Sequence, residues 1–305
     1  MKAILDRALD ALCSGGPVGE AMTGLAVELE TRRASMPAGE WREWVATSAR
    51  THPLAKALQE DPFVRHSATR PRGYPGDAEL LDFIYRSDNV QSRVQAASAL
   101  GRKLYRYSIE TPAPEAVRLR SSLAAAEIDR TAARIRRPHI LSVACGHLRE
   151  ARTAQSLAAG SLGRYVGVDQ DPRSLDLVRR EHGAMGVEAL EYSVLDLIRR
   201  GETLGTFDFI YVLGLYDYLS DETGSRLLSR LFGMLNPGGK IWLANFTGEL
   251  WSTGFMEAVM DWWLVYRTPE QMLAFSAAVP KESVAWREVF LDPTGNVAFL
   301  EMVRR

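Results

Sequence analysis

From residue 138 to the end of the chain, short apolar runs alternate with helical stretches, and this alternation restricts the possible folds more than any other feature. Each run is rich in β-branched or aromatic residues and has the length of a strand. The connections are long enough for crossover helices, so neighbouring strands can run in parallel. The pattern predicts an α/β domain with a doubly wound, mostly parallel sheet. The five runs that predict its strands are residues 139–144, 164–169, 188–193, 207–213 and 240–246.

Two further runs close the chain and predict a reversal of direction. They span residues 283–291 and 296–303, and the sequence Asp-Pro-Thr-Gly at 292–295 separates them. Turn residues of this kind between two apolar runs favour a β-hairpin. We therefore expect a seven-stranded sheet that ends in a C-terminal antiparallel hairpin.

The preceding residues, 1–136, contain helix-period patterns and no convincing strand. One example is 113–135, where apolar residues recur at a spacing near 3.6 and the far side is charged. With 305 residues and 46% hydrophobic content, the chain can build a core domain with a substantial appendage. We find no internal repeat or low-complexity linker. The expected organisation is an N-terminal all-helical cap, residues 1–136, on a sheet domain, residues 137–305.

Composition and charge exclude several classes of protein. The formal net charge is −1, so nothing demands a nucleic acid or an anionic membrane as partner. No run approaches the roughly 18 apolar residues of a membrane-spanning helix, and Asp6 and Asp10 interrupt any signal-peptide core. The 2 cysteines and 5 scattered histidines show no metal-ligand spacing. We expect a cytoplasmic protein without structural disulfides or a metal, and the oligomeric state stays open.

The ends of the predicted strands carry the residues that matter for ligand binding, because ligands of open parallel sheets lie at the carboxyl ends of strands. After the first strand, Ala144, Cys145 and Gly146 lead into a helix. After the second comes Asp169, followed by Gln170; it lies 23 residues beyond Gly146, close to the interval at which an acidic side chain accepts ribose hydroxyls. This order predicts a nucleoside site.

The third and fourth strands add further candidates. Asp196 and Leu197 follow the third strand, where a carboxylate would accept from an adenine amino group. Leu213 ends the fourth, and Tyr216 and Asp217 follow at the rim. Taken singly, each residue has a structural alternative.

Either aspartate, Asp169 or Asp196, would also serve as a helix cap. Gly146 would serve as a turn residue, and Cys145 as small buried packing. The order of all four strand ends favours a nucleoside cofactor over these separate explanations.

Residues 138–305 resemble a class I S-adenosylmethionine-dependent methyltransferase with a Rossmann-like fold. The resemblance lies in the successive runs ILSVACG, YVGVDQDP, YSVLDLI, FDFIYVLGLYDYLSDE and LNPGGKIWLANF. The first run departs from the family's pattern, since Ser142 replaces an acidic residue and Ala144 and Leu148 replace glycines.

The resemblance implies roles for the residues at the strand ends. Asp169 would hold the ribose, Asp196 and Leu197 the adenine, and the backbone of 144–146 the methionine portion. Gln170 and Leu213 complete the expected cofactor contacts. S-adenosylmethionine is the implied cofactor.

Two segments outside these motifs are also candidates. In RGYPGD, residues 72–77, a rigid turn precedes a helix with Asp77 as N-cap, and either it is only a well-made loop or it presents Arg72 to a carboxylate and Tyr74 to a cation or substrate. Residues 255–271 read as a helix with Trp262 and Tyr266 on one face, which is either packing or one wall of a pocket.

Together these two segments resemble a narrower group. It contains hydroxy-fatty-acid methyl-ester synthase-like proteins and proteins that cyclise S-adenosylmethionine to azetidine-2-carboxylate.

Three functions remain open at this point. The first is methyl transfer to a small-molecule carboxylate, hydroxyl or amine in secondary or signal metabolism, with Tyr216, Asp217 or Tyr74 directing a proton where one must move. The second is cyclisation of the cofactor with release of methylthioadenosine, in which Tyr74, Tyr216 and Tyr266 face the sulfonium and Asn245 bonds the amine. The third is a non-catalytic nucleoside-binding regulator.

Overall fold

The computed structural model describes residues 2–248 and 250–305, and their contacts divide the chain into two compact units. The first unit contains residues 1–117 and 249–263, and the second contains residues 118–248 and 264–305. This division differs from the predicted boundary at 136/137 in two places. Most of the last long helix before the sheet belongs to the second unit, and a short piece of the C-terminal half belongs to the first.

Fifteen α-helices are formed by the described residues. They are α1 (Lys2–Cys13), α2 (Val18–Ser35), α3 (Ala38–Trp44), α4 (Pro53–Leu58), α5 (Pro62–Thr69), α6 (Ala78–Ile84), α7 (Asp88–Ala96), α8 (Ala99–Ser108), α9 (Pro112–Arg134), α10 (Gln155–Ala158), α11 (Pro172–His182), α12 (Val194–Arg200), α13 (Asp221–Gly233), α14 (Thr253–Met260) and α15 (Pro269–Ala274).

Seven strands form one sheet, and all seven predicted strands are confirmed to within a few residues. They are β1 (His139–Val143), β2 (Arg164–Asp169), β3 (Val187–Glu191), β4 (Phe207–Val212), β5 (Leu235–Phe246), β6 (Val284–Leu291) and β7 (Val297–Arg304). Their order is β3-β2-β1-β4-β5-β7-β6. The pairs among β1 to β5 are parallel, whereas β7 runs antiparallel to both β5 and β6.

Two strand boundaries differ from the prediction for local reasons. β3 ends at Glu191, because Ser193 is already the N-cap of α12. β5 starts at Leu235, so the residues Asn-Pro-Gly-Gly at 236–239 lie inside the strand instead of before it. They are absorbed as an irregularity in the register with β4, with Gly238 at φ +76°.

In its described residues, the regular secondary structure of the first unit is helical, as its sequence predicts. It also includes α14, because that helix packs closely on α2. A Cβ at Gly254 would lie 2.7 Å from the Leu29 carbonyl carbon, so only glycine allows this approach. Glu257 of α14 accepts hydrogen bonds from Trp41 Nε1 (2.6 Å) and Arg33 Nε (2.9 Å).

The predicted helix over residues 255–271 is wrong beyond Met260. Asp261 adopts a left-handed conformation (φ +51°) that ends α14, and its carboxylate pairs with Arg50 and Arg70. The residues after it have no helical structure until Pro269. Trp262 and Tyr266 therefore do not share a helix face.

The core of the second unit lies on the sheet, with strand residues such as Leu141, Val166, Ile210 and Leu243 fully buried. The C-terminal part of α9 belongs to this unit because Lys240 Nζ of β5 lies 2.9 Å from Glu127 Oε1 of that helix. Across the described residues, no helix combines the length and apolar character needed to cross a membrane.

Candidate cofactor site

The strand order places a switch point between β1 and β4. The chain proceeds from β1 to β2 and β3 on one side, and then returns to add β4 and β5 on the other. Ligands of open α/β sheets bind at the carboxyl ends of the strands beside such a point. The candidate site therefore consists of the segments that follow β1, β2 and β4, all of which belong to the second unit.

The turn after β1 has an unusual backbone. Ala144 (φ +51°), Gly146 (φ +52°) and Leu148 (φ +50°) are all left-handed, although two of them are not glycine. A non-glycine residue in this region costs roughly 1 kcal/mol or more, so the surrounding structure must hold it. Leu148 is fully buried, and Cys145 N donates to the Val168 carbonyl at 3.0 Å. This turn is thus fixed by packing and by β2, and its peptide groups are left at the sheet edge.

Asp169, the last residue of β2, lies where the prediction requires a ribose-binding carboxylate. It is 8% exposed; Oδ2 accepts the Gly146 N–H at 2.8 Å and Oδ1 accepts the Asp171 N–H at 2.9 Å. A carboxylate offers about four lone-pair sites, so acceptor capacity remains for two hydroxyl groups. Burial raises the pKa of Asp169, and the two N–H groups oppose that shift.

The capping alternative for Asp169 is wrong. Asp171, not Asp169, is the N-cap of α11 and accepts the Arg173 N–H at 3.0 Å. Asp169 is instead tied to the turn after β1, so the two predicted halves of a nucleoside site are in direct contact. The neighbouring Gln170 is exposed at the same edge.

Cys145 is confirmed as buried packing. A Cβ on Gly167 would lie 3.0 Å from Cys145 Sγ, so the thiol fills the space above that glycine of β2. Burial, followed by the charges of Asp169 and Glu150, raises the pKa of the thiol well above its ordinary value. Burial and the raised pKa both oppose formation of a thiolate, so Cys145 is better suited to offer its backbone than its thiol to a cofactor.

Ser142 stands where the methyltransferase resemblance expects an acidic residue, and the structure supplies a carboxyl group nearby from another position. Glu150 Oε1 accepts from Tyr211 Oη at 2.7 Å and from Ser142 Oγ at 3.4 Å. Burial raises the pKa of Glu150. The sequence reasoning missed this residue, because it lies eight positions later in the loop and its contact with β1 is tertiary.

Asp196 and Leu197 differ from their predicted adenine-binding role. Asp196 is the third residue of α12 and forms a capping box with Ser193, while its second oxygen accepts from Arg200 at 3.1 Å. Hydrogen bonds from Ser193 lower the pKa of Asp196. Leu197 is 2% exposed and belongs to the sheet core. The capping alternative is thus confirmed for Asp196, and Leu197 is a correction, because its side chain packs in the sheet core and its N–H donates to the Ser193 carbonyl at 3.0 Å.

Tyr216 is also a correction. Its ring is fully buried against Phe275, and its hydroxyl donates to the Gly224 carbonyl of α13 at 2.8 Å. Burial raises its pKa above the usual range, so it is not a base. Apolar surroundings and a satisfied hydroxyl make Tyr216 a core residue.

Asn245 is a third correction. It is 0% exposed, its Nδ2 donates to the carbonyls of Phe246 and Val265, and its Oδ1 accepts from Arg267 at 2.7 Å. Its amide joins β5 to the segment after α14. An amide that is committed to buried partners is not free to bond the amine of a cofactor.

Asp217 is buried beside the end of β4. Its Oδ1 accepts the Phe246 N–H at 2.7 Å, and burial raises its pKa to about 6. Leu213 and Gly214, the two residues that follow β4, are partly exposed. At this edge of the sheet, the partly exposed backbone of Leu213 and Gly214 is therefore followed closely in the chain by the buried carboxyl group of Asp217.

The remaining candidates keep their predictions. In the first unit, Arg72 Nη2 lies 3.2 Å from Glu79 Oε2, and Tyr74 is half-buried in the same loop. Asp77 is confirmed as the N-cap of α6, where it accepts the Leu80 N–H at 2.8 Å. Tyr266 is half-buried in the second unit. Roles for Arg72, Tyr74 and Tyr266 at the cofactor stay predictions.

Comparisons with known proteins agree with this geometry. Residues 140–239, about a third of the chain, match the family model of a methyltransferase domain. No match was found among curated protein sequences. The structure resembles a possible exported protein from Bordetella parapertussis, with 17% identity, 84% of this chain and 98% of that chain covered, and a TM-score of 0.54. That likeness shows a shared fold.

Two other solved structures have lower scores. Magnesium protoporphyrin IX methyltransferase from Synechocystis PCC 6803, with bound S-adenosylhomocysteine, is 10% identical over 73% of this chain and 97% of that chain, with a TM-score of 0.48. An O-methyltransferase family protein from Burkholderia thailandensis is 17% identical over 70% and 62%, with a TM-score of 0.47.

The family match covers the part of the second unit that contains the candidate site. Residues 140–239 match a methyltransferase domain, and S-adenosylmethionine is the cofactor that this match indicates. The residues fit that cofactor, because Asp169 has acceptor capacity for a ribose and the turn at 144–146 presents backbone where a methionine portion would lie.

Proposed function

We propose that this chain transfers the methyl group of S-adenosylmethionine to a small-molecule carboxylate, hydroxyl or amine. The observation that carries the proposal is the contact between Asp169 and the turn after β1, in which a buried carboxylate and the Gly146 N–H are 2.8 Å apart. The family match over 140–239 includes both residues. Asp169 would then hold the ribose, and the turn would direct the sulfonium toward the end of β4.

The chemistry needs little from the protein beyond placement. A sulfonium methyl group is transferred by in-line displacement, and alignment and exclusion of water lower the barrier. The cofactor supplies the activated methyl group, while the protein holds the ribose and positions the acceptor.

Few of the predicted proton-handling groups are available to remove a proton from a hydroxyl or amine acceptor. Tyr216 is committed to Gly224, which leaves Asp217 and Tyr74 among the predicted proton-handling groups. Asp217 is sealed from solvent by its burial. A carboxylate acceptor, which needs no base, therefore suits the site better than a hydroxyl.

The test is to incubate the purified chain with S-adenosylmethionine, alone and with panels of carboxylic acids, alcohols and amines, and to identify products by mass spectrometry. We expect no turnover alone, and S-adenosylhomocysteine together with a methylated product when an acceptor is present. The variant Asp169→Ala serves as the control, because it should lose turnover at low cofactor concentration.

Two outcomes would replace the proposal. Methylthioadenosine and azetidine-2-carboxylate from the cofactor alone would establish cyclisation. Tight binding of the cofactor with no product from any panel would favour a regulator.

A further inference from the structure

Arg120, in the part of α9 that belongs to the second unit, is a buried cation whose nearest carboxylate, Asp217, lies beyond hydrogen-bond distance. Its side chain is 6% exposed, and it lies at the carboxyl ends of two strands of the sheet. Its Cζ is 5.6 Å from the ring centroid of Phe246, the last residue of β5. Its Nη2 would lie 3.0 Å from a Cβ on Gly214, which follows β4.

Two of the three nitrogens of this guanidinium, Nε and Nη1, are buried without a hydrogen-bond partner among the described residues. The nearest carboxylate oxygen is Oδ2 of Asp217, at 3.9 Å from Nη1, which is too long for a hydrogen bond. The other oxygen of Asp217 is occupied by the Phe246 N–H.

A buried charge with unbonded donors is costly, so such groups are rare unless a ligand completes them. Asp217 and Glu150 are close enough to interact with the charge of Arg120. Burial raises the pKa of both carboxyls, and the charge of Arg120 opposes that shift. Neither supplies the planar, two-pronged contact that a guanidinium makes with a carboxylate.

Gly214 leaves the approach to this guanidinium open. It is partly exposed, and any larger residue would bring a Cβ to 3.0 Å from Nη2. The glycine lies directly beside the switch point, across from the turn after β1. Arg120 therefore lies beside the end of β4, close to the place where the proposed reaction would occur.

We propose that Arg120 binds a carboxylate at the carboxyl end of β4. The inference rests on the proposed function, because the ligands of that reaction supply two sources of the anion. One is the carboxylate of the cofactor's methionine portion, which is the only anionic group of S-adenosylmethionine. The other is the carboxylate of a carboxylic-acid acceptor. A phosphate is a poorer candidate, because S-adenosylmethionine carries none.

Calorimetry with two nucleosides separates the sources. S-adenosylhomocysteine carries the amino-acid carboxylate, and methylthioadenosine lacks it. If the cofactor supplies the carboxylate, Arg120→Met raises the Kd of S-adenosylhomocysteine at least about 10-fold and leaves the Kd of methylthioadenosine within about 2-fold. Arg130→Met, which removes an exposed arginine from the same helix, should change neither value.

If the acceptor supplies the carboxylate, both nucleoside Kd values stay unchanged in Arg120→Met. Acetate and hexanoate are then titrated onto the complex with S-adenosylhomocysteine. They should raise the Tm of the wild-type complex and not that of the variant complex.

Removal of a buried charge can prevent folding, so two milder variants are included. Arg120→Lys keeps the positive charge but loses the planar guanidinium that can bond both oxygens of a carboxylate. Gly214→Ala keeps Arg120 and displaces its guanidinium. Each should weaken the same carboxylate-dependent step about 3- to 10-fold.

Two results would overturn the inference. Equal losses for both nucleosides would show that Arg120 only supports the fold, and no change in either arm would show that it binds no carboxylate. Failure of the wild-type chain to bind either nucleoside would instead overturn the proposed function itself.

Discussion

Asp169 is the last residue of β2 and Asp196 comes after the neighbouring strand β3, so only the first of these carboxylates is held at the end of its strand. Asp169 is 8% exposed and joined to the turn after β1 by the Gly146 N–H. Asp196 lies in the first turn of α12, where it is partly exposed and bonded to Ser193 and Arg200. Adjacent strands of one sheet thus place the same residue type in a binding position and in a capping position.

This difference shows that the availability of a carboxylate to a ligand depends on which hydrogen bonds it already accepts within the protein. Asp169 accepts from rigid backbone groups that leave part of the carboxylate uncommitted, whereas Asp196 satisfies the N-terminus of its helix. Helix N-termini have orphan N–H groups that attract such side chains. We therefore expect substitutions near Asp169 to change ligand binding, and those at Asp196 to change local stability.

The largest effect is expected for Asp169→Ala. Loss of the ribose contact should weaken S-adenosylhomocysteine binding by about 1 to 3 kcal/mol, which is roughly 10- to 100-fold in Kd by calorimetry. Asp176→Ala, at an exposed position of α11, is the matched control and should leave the Kd unchanged. An unaltered Kd in Asp169→Ala would remove this carboxylate from the site.

A second prediction concerns pH and Asp217, which comes after the carboxyl end of β4 as Asp169 stands at the carboxyl end of β2. Its folded-state pKa is raised to about 6 from 3.8, so the folded chain binds more protons than the unfolded chain between these values. Stability contributed by this group is therefore greatest at low pH and is lost as the pH rises from about 4 to about 6. Without cofactor, the wild-type unfolding constant should rise relative to that of Asp217→Asn across this window, by roughly 10- to 100-fold.

Chemical denaturation of both proteins at pH 4, 5, 6 and 7 measures this difference. A parallel pH dependence of the two chains would mean that Asp217 has an ordinary pKa.

A smaller effect is expected at the left-handed turn itself. Ala144 has φ +51°, which a β-branched side chain tolerates poorly. Ala144→Val should lower stability by about 1 kcal/mol and weaken cofactor binding, while Ala144→Gly should keep the wild-type Kd within about twofold. Equal behaviour of the two variants in thermal melting and calorimetry would show that the backbone of this turn is not constrained.

The smallest effect is expected for Asp196→Ala. The Kd for S-adenosylhomocysteine should change less than about twofold, and thermal melting should show a slight decrease in Tm from loss of the capping box. Asp196→Asn is a useful companion, because it keeps an acceptor for Ser193. A large rise in Kd for Asp196→Ala would restore the adenine-binding prediction and erase the contrast with Asp169.

The sequence predicted much of the fold but less of the site. Strand positions could be read because a local alternation of residue types accompanies each strand, and Asp292 to Gly295 form the expected turn. The helix at 255–271 was predicted too long, because Asp261 ends it through ion pairs with Arg50 and Arg70 that lie far away in the sequence. Tyr216 and Asn245 were misjudged for a related reason, since their partners at Gly224 and Arg267 come from other segments.

By itself, the sequence determined the seven strands, the terminal hairpin and the position of Asp169 at the end of β2, because local periodicity and the right-handed crossover rule limit how such a chain can be arranged. Only the tertiary structure decided which polar groups remain available at the sheet edge. Burial and hydrogen-bond partners are supplied by segments distant in sequence. They occupy the polar groups of Tyr216 and Asn245, whereas Asp169 and Arg120 keep hydrogen-bonding capacity for a ligand.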